Sequence, residues 1–171
     1  MELQFELDPA LDHSLRDALI DLWLDVNNAD GAVGFVPPVA REQLEPFAHS
    51  AFDAVGRGES HVVVAFENRR PVGMAFLIGR PGPLFRHWQT IKRLMVHPSL
   101  QGRGVGSALL RDIHDKAREL GLEQLHLTVR GGTGTESFYK RHGYELVATI
   151  PKVIRLAPDD DRDEIYMIAR L

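Results

Sequence analysis

One segment restricts the folds open to this chain more than any other. Leu94-Met95-Val96 closes an apolar run, His97-Pro98-Ser99-Leu100 breaks it, and Gln101-Gly102-Arg103-Gly104-Val105-Gly106-Ser107 opens the clearest helical stripe in the sequence. That stripe consists of Val105, Ala108, Leu109, Ile113, Ala117 and Leu120, with Gly121 placed to end it in a left-handed residue. Asp112 and Lys116 form a favourable i,i+4 pair on its other side. A strand, a glycine-rich turn and a helix in this order can make an anion site. The first N–H groups of a helix have no intrahelical acceptors and carry the positive end of its dipole. Glycines at 102, 104 and 106 remove the Cβ atoms that would hold an anion away from those amides. The letters alone also suit a plain connection, because isolated glycine patterns often match by chance. A Walker loop needs a lysine that this turn lacks, and a dinucleotide fingerprint needs glycine where Ser107 stands.

The remaining elements read as one α/β unit. Leu3, Phe5 and Leu7 alternate as a half-buried strand. Asp8 and Pro9 fit the cap and first residue of a helix whose stripe runs from Leu11 to Val26 through Leu19 and Trp23. Asn27–Pro38 breaks both periods and reads as a loop. Leu44, Phe47, Ala48, Ala51, Phe52 and Val55 mark a second helix, whose start Pro46 obscures. His61–Phe66 and Val72–Ile78 are strands joined by a turn at Glu67–Pro71, an antiparallel hairpin. Trp88–Val96 is a longer strand whose alternation falters at Lys92–Leu94, as a bulge would make it. Leu125–Val129 is a strand, and Thr133 and Glu136 have capping-box spacing for a helix that Gly143 ends. Tyr144–Ile150 and Glu164–Ala169 complete the strands, with the acidic run Asp159–Glu164 read as a solvated turn.

Two of these segments resemble a known family. Gln101-Gly102-Arg103-Gly104-Val105-Gly106 is similar to the Q/R-x-x-G-x-G/A motif of the GNAT N-acetyltransferase superfamily. Phe138-Tyr139-Lys140-Arg141-His142-Gly143-Tyr144 resembles that superfamily's F-Y-x-x-x-G-[FY] segment, and Leu94–Pro98 its fourth strand and exit. Asp30–Pro38 is similar to a loop of the tabtoxin-resistance-like acetyltransferases within it. The resemblance implies a mixed sheet of six or seven strands, helices on both faces, and a splayed fourth and fifth strand. It also implies acetyl-CoA as co-substrate. The diphosphate would rest on the amides of Gln101, Gly102, Arg103, Gly104, Val105, Gly106 and Ser107, and the pantetheine on the main chain of Leu94, Met95 and Val96.

The same resemblance gives Tyr139 the role of general acid to the departing thiolate. Helical spacing alone would simply pack its ring beside Phe138. Thr90 and Thr128 stand where relatives carry acids, and Gly132 where an asparagine is common, so the general base is open. His126 shares a strand face with Thr128 and is a candidate proton relay, ahead of His87 and His97. Phe35, Trp88 and Arg93 are candidates for the acceptor pocket, Arg93 as a bidentate partner for a carboxylate. The expected reaction is acetyl transfer to a primary amine of a small molecule by direct attack. A donor-binding module without transfer, and a longer acyl chain, are the alternatives.

Composition narrows the remaining classes. The 171 residues fit one domain, 1–171, and contain no cysteine, which excludes a disulfide framework, a cysteine nucleophile and thiolate zinc sites. A net charge of −4 offers no global attraction to nucleic acid. No apolar run approaches a membrane span, the first residues lack a leader pattern, and no H-E-x-x-H spacing calls for a metal. The expectation is a cytoplasmic protein with no membrane partner and no metal, in a superfamily that is often dimeric.

Overall fold

The computed structural model describes residues 2–171. Strands β1 (Leu3–Leu7), β2 (Ser60–Glu67), β3 (Arg70–Gly79), β4 (Trp88–Val96), β5 (Gln124–Arg130), β6 (Glu145–Ala157) and β7 (Asp160–Arg170) form one seven-stranded sheet. Their order is β1-β2-β3-β4-β5-β7-β6, antiparallel throughout except for the parallel pair β4–β5. Helices α1 (His13–Asn28), α2 (Arg41–Gly56), α3 (Val105–Glu119) and the short α4 (Glu136–Lys140) connect them. Among the described residues no helix is long and apolar enough to cross a membrane.

Strand β2 shows why helices cover both faces. Val62 to Phe66 is apolar at every position, and all five residues are buried. Val63 and Ala65 join the cluster of Leu109, Leu110 and Ile113 from α3. Val62 and Val64 join Leu19, Trp23 and Phe52 from α1 and α2 on the opposite face. Each fully buried aliphatic or aromatic side chain contributes roughly 1.5–3 kcal/mol. On the second face the Trp23 and Phe52 rings lie 6.2 and 6.1 Å from Phe76.

Local chemistry moves several boundaries from their expected places. Asp12, not Asp8, caps α1, its carboxylate accepting the Leu15 N–H at 2.8 Å. Asp8 instead has φ 50° and accepts the Val62 N–H at 2.8 Å, tying the end of β1 to β2. Helix α1 runs on through Asn27 and Asn28, which resemble loop residues but hold the loop from within the helix. Asn27 accepts the Phe35 N–H at 3.2 Å, while Asn28 accepts the Val39 N–H at 2.8 Å and donates to the Val39 carbonyl at 3.0 Å. Gln43 accepts the Ala40 N–H at 2.9 Å, so α2 starts at Arg41 and Pro46 lies inside it. The Thr133–Glu136 capping box does not form, since Thr133 donates to the Arg130 carbonyl at 2.8 Å and Thr135 occupies the cap.

The β2–β3 hairpin is present, with Asn68 (φ 49°) and Arg69 (φ 65°) in a two-residue turn between Glu67 and Arg70. Strands β6 and β7 are longer than their alternation suggests. Asp160–Glu164 therefore lies on β7 rather than in a turn, and Arg155 and Arg162 pair with Asp161 and Asp160. At the sheet edge, β6 slips register against β7 at three places. Lys152 there has φ 54° and donates its N–H to Asp163 at 3.0 Å.

The irregularity that matters most is in β4. Met74 pairs with Met95 and Phe76 with Lys92, so Ala75 alone faces Arg93 and Leu94, and Arg93 has φ 54°. This is the bulge expected at Lys92–Leu94. Gly73 sits beside it, and a Cβ there would lie 2.9 Å from the Met95 carbonyl oxygen and 3.4 Å from a Leu109 methyl. Gly73→Ala should therefore lower stability by about 1–3 kcal/mol, read as a lower urea midpoint.

Candidate functional site

Just ahead of the bulge, after Thr90, β4 and β5 part. They pair only through Trp88–Gln124, Gln89–Leu125 and Thr90–His126, although both strands continue. Past that point their facing N–H and C=O groups lose each other as partners, which leaves an edge that an extended amide-bearing molecule can complete. The gap is a cavity of about 220 Å³ between Ile91, Arg93 and Leu94 on β4 and Leu127–Arg130 on β5. Gly31–Val33, Thr135 and Tyr139 close it. Leu94 lines the gap, whereas Met95 and Val96 bury their side chains in the clusters on opposite faces of the sheet.

Past the end of β4 the chain enters the glycine-rich turn. Gly102 (φ 73°) and Gly104 (φ 83°) are left-handed, and a Cβ on either would meet nothing within 4 Å. The first intrahelical bond of α3 joins the Ala108 N–H to the Gly104 carbonyl at 3.0 Å. The N–H groups of Val105, Gly106 and Ser107 therefore have no helical acceptor. Gln101 departs from the expected cradle. Its N–H bonds the Pro98 carbonyl at 3.3 Å, and its side chain donates to the Val96 carbonyl at 3.0 Å. It braces the turn against β4 instead of facing an anion. Ser107 Oγ lies 3.0 Å from His142 Nε2.

Tyr139 faces the gap from α4, its ring packed edgewise on Phe138 at 5.1 Å and Tyr144 at 5.6 Å. Burial pushes its phenol up to about 12. The other two tyrosines are engaged elsewhere, Tyr144 with His114 at 3.0 Å and Tyr166 as donor to Glu164 at 3.0 Å.

The family model described as acetyltransferase (GNAT) domain matches residues 58–146, more than half of the chain. The chain belongs to the GNAT acetyltransferase family. It is 30% identical over 158 residues to a mycothiol acetyltransferase of Propionibacterium freudenreichii subsp. shermanii. That alignment covers 81% of this chain but 44% of the relative, so the chain spans less than half of that protein's length. Among solved structures, an N-acetyltransferase from Staphylococcus aureus superposes with TM-score 0.80 at 16% identity, over 99% of each chain. The acetyltransferase yncA from Salmonella typhimurium, solved with its cofactor acetyl-CoA, superposes with TM-score 0.75 at 20% identity, over 99% of this chain and 94% of that one. At such identities these likenesses establish the fold, the mixed sheet with its splayed strand pair.

Within this GNAT domain the remaining expected site residues are dispersed. His126 lies where β4 and β5 are still paired, its ring stacked on Trp88 at 4.0 Å and its Nε2 3.0 Å from Gln124 Oε1. Burial and the neighbouring His87 lower its pKa, and neither His126 nor Trp88 lines the gap. Phe35 packs edgewise on Phe47 at 5.2 Å, behind a second cavity that Phe47 lines. Thr128 does line the gap, but no carboxylate or imidazole does so among the described residues. Arg130 and Thr135 are lining residues that the motifs did not single out. The i,i+4 spacing of Thr135 and Tyr139 and the alternation of β5 through Arg130 were the signals available.

Two glycine variants separate folding from binding at the turn. A Cβ at Gly106 would meet Phe138 and Val96 at 3.7 and 3.8 Å, ordinary contact distances. Gly106→Ala should hold or raise the thermal midpoint, since alanine is favoured in a helix by roughly 0.8–1 kcal/mol. Gly104→Ala should lower it, at a cost of about 1–2 kcal/mol for the left-handed backbone. Pyrophosphate binding by calorimetry should weaken in both.

Proposed function

We propose that this GNAT domain, residues 1–171, moves an acetyl group from acetyl-CoA to a primary amine of a small molecule by direct attack. The observation that carries this reading is the open edge between β4 and β5, continuous with a helix start whose first amides have no helical acceptor. The acetyl-CoA in the Salmonella structure and the mycothiol acetyltransferase name of the Propionibacterium relative support it. Acetyl-CoA supplies an acyl carbon activated by sulfur, and the new C–N bond forms as the C–S bond breaks. The Gly102–Ser107 amides would hold the diphosphate, and the main chain of Leu94, Met95 and Val96 the pantetheine. A cytoplasmic setting and a homodimer belong to the same reading.

Tyr139 gives its phenolic proton to the departing sulfur. In water a phenol near 10 and a thiol near 8.5 are moderately matched for that transfer. Burial makes the phenol a weaker acid, and desolvation of the departing thiolate beside it raises the thiolate's basicity in the same direction. The phenol stays protonated through neutral and moderately alkaline pH. With no carboxylate or imidazole lining the gap, the ammonium proton leaves to water and the amine reacts as its free base. His126 takes no step in this reading.

Tyr139→Phe should lower kcat by about 100-fold, in the range of a lost general acid, while leaving CoA affinity within twofold. Thiol release with an amine panel measures the first and calorimetry the second. Unchanged turnover would remove Tyr139 from the chemistry, and no thiol above the blank with any amine would leave a module that binds without transfer. The pH profile is a separate check. kcat/KM should rise tenfold per pH unit until the amine's own pKa, with no plateau from a protein base and no fall up to about pH 10.

A further inference from the structure

The gap that faces Tyr139 is not the only cavity beside the bulge. On the face covered by α1 and α2, Phe47, Ser50, Ala51, Phe76 and Ile78 line a second cavity of about 380 Å³. Arg93 is the one residue that lines both cavities. The bulge is responsible for this, because its left-handed backbone turns the Arg93 side chain out of the regular alternation of β4. The guanidinium lies over the Trp23 ring, 4.8 Å from its centroid. A ring face attracts a cation but cannot accept its directed N–H bonds as a carboxylate does.

The charges around Arg93 are unbalanced. Among the described residues no carboxylate lies within salt-bridge distance of it. Glu59, the one acid lining the second cavity, is paired with Arg57 at 2.7 Å. Burial pushes the guanidinium below its usual range with no acid to offset it. A half-buried cation with five donors in a fixed fork, opening on two cavities, is suited to an anion brought in by a ligand.

The donor's own phosphates are poorly placed to be that anion. Arg93 stands three residues before Val96, roughly 10 Å of extended strand from where the turn begins. It therefore lies toward the thioester end of the donor path, beside the phenol that serves the sulfur. Building on the acetyl-transfer reading above, we propose that the acceptor enters through the α2-side cavity and is an amine that also carries a carboxylate, which Arg93 holds in bidentate fashion. Arg93 is thus a specificity-determining residue that positions the amine, and it exchanges no proton.

The test compares ω-amino acids with their carboxamides as acceptors, following thiol release from acetyl-CoA. The wild type should use the carboxylate at least tenfold better in kcat/KM. Arg93→Gln should erase that preference by slowing the carboxylate alone, and Arg93→Lys should restore part of it. The ratio of the two acceptors, compared between wild type and variant, cancels the basicity of each amine. Equal use of acid and amide by the wild type, or an equal loss of both in Arg93→Gln, would overturn the assignment. If no amine yields thiol, the transfer reading fails while this one is still read by calorimetry of the same amino acids on the CoA-saturated protein. Binding that Arg93→Gln abolishes sustains it, and no binding to the wild type overturns it. Donor affinity, unchanged in both variants, shows that the site has kept its fold.

Discussion

A single extra residue in β4 governs the working geometry of this domain. Arg93 and Leu94 together oppose Ala75, and on the approach to this bulge β4 leaves β5 after only three paired positions. A continuous parallel pair would satisfy its own amides and leave no room for a ligand. Here the sheet stays intact on either side, with β1 to β4 forming one block and β5 to β7 the other. The break between the blocks is backed by hydrophobic clusters on both faces, so it persists without bonds of its own.

The polar chemistry placed around this break is sparse, and each group differs in kind. The turn at Gly102–Ser107 offers main-chain donors, Tyr139 a proton that its buried phenol retains, and Arg93 a fixed positive charge. Gln101 serves none of these directly. By bonding both Pro98 and Val96 it holds the turn to the strand end, so the amides and the parted edge keep one relative position. A reaction that relies on placing two molecules against each other gains more from such bracing than from additional reactive groups.

Much of this architecture was legible in the sequence because it is written in periodicity. The β2–β3 hairpin and the faltering alternation of β4 reappear as read, and so does the α3 stripe except at its end, where Leu120 is exposed as the C-cap while Leu110 is buried in its place. What escaped were features decided by side chain to backbone bonds across long separations. Asp8 looks like a helix cap, yet it bonds to Val62 on a neighbouring strand, and the Asn27–Asn28 pair looks like a loop. Both asparagines accept backbone N–H groups, eight and eleven residues further on, through their side-chain oxygens. At the site, motif spacing reached Tyr139 and the glycines. It could not show that His126 would be occupied by Trp88 and Gln124, because stacking across two strands depends on their register.

The kinked outer strand of the sheet bears on how the domain avoids unwanted partners. β6 is long and carries apolar side chains in the open at Leu146, Val147, Ile150 and Val153, the kind of rim to which foreign chains add. Its register against β7 is never regular for more than the three residues Ala148–Ile150, and the backbone of Lys152 is turned left-handed. A stranger's strand would meet the same interruptions and find few bonds in succession. The fold thereby discourages extended guests along its margin and keeps its one parted edge in the middle, walled by side chains of both blocks.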